Sequence, residues 1–215
     1  PPVLKNPRIV VFTVDGAPVS IELSPATAAD PKHQESLVYK VVYPPRWGML
    51  EGKPPHLTFT PEPGYCGVAT LEYEVRDPCG AATRGWVDIV LEHTPTIRGP
   101  RWIQVPAAST TVSFDVLVHD VDFACGDTVE VSGSSASGRT VRVLPRVLHH
   151  TGWCTVTYEG TPESCSDTVT IMARDSRGHS RTWQVEVWRA NRPPQARPPE
   201  LVGKTMVTLA PDGPK

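Results

Sequence analysis

At 215 residues the chain has room for one large domain or two ordinary ones, and its formal charge of −2 leaves no basic face of the kind a nucleic-acid binder carries. An apolar share of 39% is enough for packed cores, while no run approaches the ~20 apolar residues that cross a bilayer. The 24 prolines far exceed the usual share of about 5% and fall mostly at strand ends and joints, as suits short strands that must stop pairing at edges.

Taken in order, RIVVFTV (8–14) and PVSIEL (18–23) read as strands flanking an Asp15-Gly16 turn. A polar loop, SPATAADPKHQE (24–35), leads to the strand SLVYKVVY (36–43), closed by Pro44-Pro45, and then to RWGML (46–50). In 57–91 a strand enters on Leu57 and Phe59, turns through a Pro/Gly corner from Pro61 to Gly67, and returns with Leu71, Tyr73 and Val75 alternating with Thr70, Glu72 and Glu74. Period-two alternation over such lengths sets one row of side chains against a core and the other in water. A turn at Asp77 to Gly80 precedes a last strand holding Trp86 and Ile89.

The pattern then restarts with TPTIRGPRWIQV (94–105), and 111–118 forms a strand with Val112, Phe114, Val116 and Val118 on one face. After the loop HDVDFACGD and the strand TVRVLPRVL, broken by Pro145, the segments WCTVTYEG, TPES, SDTVTIMARDSRG and RTWQVEVW repeat the closing three-strand order. Tyr73-Glu74-Val75-Arg76-Asp77 lies beside Ile171-Met172-Ala173-Arg174-Asp175, and Gly80 beside Gly178, so the chain carries an internal repeat. No stretch has helical periodicity.

Leu57-Thr58-Phe59-Thr60-Pro61, Gly64-Tyr65, Gly67, Tyr73, Val75, Asp77 and Gly80 resemble the closing segments of the cadherin-like tandem repeats of large surface adhesins, and HDVDFACGDTVEV is similar to an acidic segment of the same repeats. The resemblance implies an all-β chain of two tandem Greek-key Ig-like/cadherin-like β-sandwiches, 1–93 and 94–192. Residues 193–215 are expected to be a Pro-rich linker and the first strand of a following repeat. The opening PPVLKNP has no leader pattern, so the chain reads as a piece of something longer.

The resemblance also suggests a site. Asp120, Asp122 and Asp127, with Asp175 on a later turn, become candidate Ca²⁺ ligands, because hard oxygen donors suit that ion. The other reading is that these aspartates cap turns by accepting nearby backbone N–H groups. Arg174 beside Asp175 and the joint RANRPP depart from the acidic cadherin pattern, and the first unit keeps only Asp30 and Asp77. Five cysteines suggest an oxidising compartment, and spacing alone does not choose among their pairings. The topology implied by the resemblance faces Cys66 toward Cys125 across the joint and lets Cys154 pair with Cys165, leaving Cys79 for an upstream domain or unpaired. Buried unpaired cysteine is the alternative for each pair.

Neither His149-His150 nor His119-Asp120 has a partner at ligand spacing, and no GxSxG or HExxH occurs. Trp86 and Trp183 are expected in the two cores and Trp102 and Trp188 at the joint; together with Trp47 and Trp153 they are also candidates for a sugar-stacking platform. The expected role is a non-enzymatic extracellular spacer or adhesion module of a cell-surface protein, contacting other surface proteins or copies of itself. A structural repeat of an extracellular filament and a carbohydrate-binding accessory module are the alternatives. Neither asparagine, Asn6 nor Asn191, starts a glycosylation sequon.

Overall fold

The computed structural model describes residues 1–28, 31–106, 109–163 and 165–190, the side chain of Glu35 excepted. Asp30, the RANRPP joint from Asn191 onward and the segment 193–215 lie outside the described residues. The first nine strands are β1 (Val3–Leu4), β2 (Arg8–Val14), β3 (Val19–Glu22), β4 (Ala26–Thr27), β5 (Val38–Tyr43), β6 (Gly48–Lys53), β7 (His56–Pro61), β8 (Gly67–Arg76) and β9 (Ala82–Glu92). The next nine are β10 (Thr96–Arg98), β11 (Trp102–Val105), β12 (Thr111–His119), β13 (Val129–Ser135), β14 (Thr140–Leu144), β15 (Val147–Leu148), β16 (Gly152–Glu159), β17 (Ser166–Asp175) and β18 (Ser180–Arg189). Two short 3₁₀ turns, Pro31–Ser36 and Val121–Cys125, sit in corresponding loops.

The first set of strands forms sheets in the order β2-β9-β8-β5 and β3-β7-β6, with β1-β4 as a small added pair; the second forms β10-β12-β16-β14 and β11-β18-β17-β13-β15. In each unit the chain crosses between facing sheets several times before its last two strands pair as a hairpin, giving two Greek-key sandwiches. Each unit's early edge strand lies parallel to its last strand, β2 beside β9 and β11 beside β18. The chain therefore enters a sandwich at one end and leaves it at the other.

Alternation explains which residues are inside. Along β8, Ala69, Leu71, Tyr73 and Val75 are buried between outward neighbours, and along β17 Val169, Ile171 and Ala173 do the same. Two separate clusters result, one around Phe59, Leu71, Tyr73 and Ile89, the other around Val116, Val156, Tyr158 and Ile171.

Trp86 is not in the first core. Parity along β9 turns Gly85, Val87, Ile89 and Leu91 inward and leaves Trp86 38% exposed on the outer face. The inward counterpart of Trp183 is Gly85. Tyr73 pairs with Gly85 across the hairpin of the first unit, and Ile171 pairs with Trp183 in the second. A Cβ on Gly85 would fall 2.5 Å from the Tyr73 ring, so the tyrosine fills the space that Trp183 occupies in the other bead. Trp183 packs against its core, and its indole N–H donates to the Pro100 carbonyl at 3.0 Å.

Candidate functional site

The sandwiches meet where β9 ends, at Glu92 and His93, against the loop between β12 and β13 and the turn between β17 and β18. Asp120 caps the 3₁₀ turn Val121–Cys125: its backbone is extended at φ −136°, ψ 135°, and its Oδ1 accepts the Asp122 N–H at 3.0 Å. Gly126 closes the turn at φ 84°, a left-handed conformation that glycine adopts without steric cost. The pair of caps fixes Asp122 inside the turn and Cys125 at its end.

Asp122 is fully buried and reaches back to the first unit. Its carboxylate accepts the His93 N–H at 2.8 Å and faces His93 Nδ1 at 2.9 Å. Asp175, at the end of β17, spends Oδ1 on the N–H groups of Arg177, Gly178 and His179 at 2.9, 2.6 and 2.8 Å, and its Oδ2 lies 3.0 Å from His179 Nδ1. Asp127 accepts the Thr128 N–H at 2.6 Å together with the Ser176 hydroxyl, and Arg177 Nε stands 3.6 Å from its other oxygen. Arg177 and His179 then cross the joint to Glu92 at 3.2 and 3.5 Å. On the flank, Asp15 accepts from the Thr94 N–H and hydroxyl at 2.7 and 3.0 Å.

The structure joins Cys66 to Cys125 by a disulfide with a Cα–Cα distance of 6.2 Å, so a covalent bond crosses the same joint. Cys154 does not pair with Cys165. It is an inward residue of β16, fully buried, and its thiol donates to the Pro145 carbonyl at 3.4 Å. Cys165 lies exposed beyond the far end of that strand, and the five steps from Cys154 to Glu159 alone cover about 17 Å, far more than the ~7 Å a disulfide spans. Cys165 instead directly precedes β17 as Cys66 directly precedes β8. Cys79 is exposed in the turn between β8 and β9.

The four aspartates come together at the joint, and burial acts on them. Burial, helped by the charges of Asp122, Asp175 and Asp127, raises the Asp120 pKa above the usual carboxylate range despite the opposing Asp122 N–H. Two buried oxygens, Asp120 Oδ2 and Asp127 Oδ2, have no hydrogen-bond partner. That is short of the six to eight oxygen donors Ca²⁺ takes. The remaining carboxylate oxygens are held by backbone N–H groups, His93, Ser176 and His179, and among the described residues no group of three or more His, Cys, Asp or Glu is arranged to hold a metal ion. The arrangement fits turn caps and ion pairs, and does not fit a calcium cage.

Sequence reading missed His93, Arg177 and His179, the groups that answer the aspartates, and Glu92, which faces the last two. His93 lies 29 residues from Asp122 and Arg177 lies 85 from Glu92, separations that leave no local signal, whereas His179 and Asp175 are only four residues apart. His119 and His150 are exposed and engage Thr151, at its hydroxyl and its carbonyl. Trp102 and Trp188 are away from the joint between the two sandwiches, and the RANRPP joint that follows Trp188 lies outside the described residues from Asn191 onward. β18 starts beside the former, and Trp188 lies eight residues on, about 27 Å along the strand.

No protein-family model matches the chain, and no curated protein matches it in sequence. Solved structures similar to it include the extracellular domain of protocadherin gamma B4, at 15% identity over 88% of this chain and 32% of that one with a TM-score of 0.43. The ectodomain of human desmocollin-1 is 15% identical over 92% of this chain and 44% of its own, with a TM-score of 0.43, and titin domains I67–I69 are 10% identical over 88% and 65%, with a TM-score of 0.48. The chain spans less than two thirds of each of these structures. These likenesses are weak in both sequence and superposition, and the tandem-sandwich fold rests on the chain's own sheet order.

Proposed function

We propose that the chain is a stiff two-bead length of a longer extracellular protein, a non-catalytic spacer and adhesion module that holds protein-binding surfaces at a set distance and angle. The observation that carries this reading is the Cys66–Cys125 bond across the joint, a covalent brace between independently packed cores. A disulfide belongs to an oxidising compartment, which supports an extracellular place. The Glu92–Arg177 ion pair, with His179 Nε2 3.5 Å from the same carboxylate, braces the same joint from the other bead's last turn. Contacts made by such a module are broad protein faces on a scale of ~800 Å² per partner, with other surface proteins or further copies as partners.

Spin labels on the exposed faces of β2 and β14 test the reading through their distance distribution. One narrow distance in the oxidised chain, broadening when the bond is reduced or when Cys66 and Cys125 are both serine, is the expected result. A broad distribution in the oxidised chain overturns the spacer reading.

A further inference from the structure

Between β5 and β6 the chain builds a feature that the joint does not use. The pairing register of β5 slips between Val41 and Tyr43, leaving Tyr43 62% exposed. Pro44 and Pro45 follow, and Trp47 then adopts φ 63°, in the left-handed region that a bulky side chain enters only when its surroundings hold it there. Those surroundings are visible. The Glu62 N–H donates to the Trp47 carbonyl at 2.8 Å, Gly48 is pressed so close to Phe59 that a Cβ would fall 2.4 Å from its ring, and the indole stacks on Tyr65 with centroids 5.1 Å apart at 14°. Tyr65 is itself anchored by the bridged Cys66 beside it.

All this constraint leaves Trp47 51% exposed, so it does not serve to bury the ring. The indole borders a hollow of about 600 Å³ shared with Tyr43, Tyr65, Arg46 and Thr70. Arg46 is the one charged side chain in that lining among the described residues. The nearby Asp88, which accepts the Thr70 hydroxyl at 3.1 Å, is already paired with Arg8 at 2.5 Å.

We infer that this hollow is a binding site for an anionic sugar residue, a pyranose bearing a carboxylate or sulfate, a property beyond the spacer role. A pre-set indole face suits the flat C–H face of a pyranose, and the hollow has the volume of a small-ligand site. The Tyr43 hydroxyl can donate to or accept from a sugar hydroxyl, and Thr70 Oγ1, whose proton goes to Asp88, can accept from one. The Arg46 guanidinium matches an oxyanion with its planar fork of donors and selects the acidic class.

Calorimetry of the 215-residue chain with hyaluronan oligosaccharides, dextran sulfate and neutral cello-oligosaccharides tests this, the first two separating a carboxylate from a sulfate. Acidic oligosaccharides are expected to bind more tightly than neutral ones, with Trp47→Asn and Arg46→Gln each weakening binding about tenfold or more. Asparagine tolerates the left-handed backbone, and a melting curve matching the parent's establishes that the variant folds. Trp153→Ala, which removes an indole 62% exposed on the other bead, is expected to leave binding unchanged. Equal affinity for neutral sugars, no binding at millimolar sugar, or binding indifferent to both variants at the hollow overturns the assignment. So does occupation of the hollow by a proline-rich peptide or by a second copy in place of sugar. A distance distribution between the two beads that stays narrow while sugar binding fails would sink this site and leave the spacer reading standing.

Discussion

Asp120 is 2% exposed beside Asp122, Asp127 and Asp175, with one oxygen on the Asp122 N–H and the other without a hydrogen-bond partner. Because its folded pKa is raised, the fold holds its proton more tightly than the unfolded chain does. That contribution to stability is complete below the unfolded value and is lost as pH rises through the folded one. Asp120→Asn keeps the acceptor for the Asp122 N–H and adds an N–H₂ toward the neighbouring carboxylates. At pH 7–8 it is expected to stabilise the chain by about 1 kcal/mol, roughly 2–4 °C in the melting temperature, with the gain shrinking toward pH 4. Melting curves across that range check it, run with Ca²⁺ and with EDTA. A variant that melts lower than its parent only when Ca²⁺ is present would restore the calcium reading. The aspartates were legible in the sequence as turn formers and as oxygen donors alike. What decided between the two was the position of His93 and Arg177, which tertiary folding alone supplies.

Among the strands, alternation was legible wherever a run of apolar residues met a run of polar ones, as in β8 and β12. It failed at Trp86 because a large aromatic draws the eye as core while the glycine before it, the true inward residue, carries no hydrophobic signal. Parity would equally have set Cys154 inward with Val156 and Tyr158, away from the corner that holds Cys165. Between the beads the aromatic changes strand within the cross-strand pair, Tyr73 over Gly85 in one and Trp183 beside Ile171 in the other. Gly85→Ala is accordingly expected to cost the first bead about 1–3 kcal/mol, because its methyl meets a tyrosine ring with nowhere to move. The matching Trp183→Gly variant should open a cavity in the second bead and cost about 3–5 kcal/mol. Denaturant titration of each variant measures both.

For the whole molecule, the two-bead order follows from the internal repeat, whereas the brace across the joint depends on which loops face each other. Cys66 and Cys125 are 59 residues apart, and closing a loop of that length stabilises the folded chain by about 4 kcal/mol in the chain-entropy picture. Cys66→Ser with Cys125→Ser, or reduction of the parent, is expected to lower the first melting transition. It should also separate the unfolding of the two beads, whose cores share no residues. Scanning calorimetry with and without reductant checks this; one unchanged transition in the double variant would mean that noncovalent contacts alone hold the joint.

The parallel pairing of each bead's early strand with its last strand has a mechanical consequence. A pull on the two ends of the chain drags β2 and β9, or β11 and β18, past one another lengthwise, so the rungs between them are loaded together in shear. Peeling would break them one after another at low load. A tether assembled from such beads yields late and abruptly, a useful habit for a molecule stretched between two surfaces that drift apart.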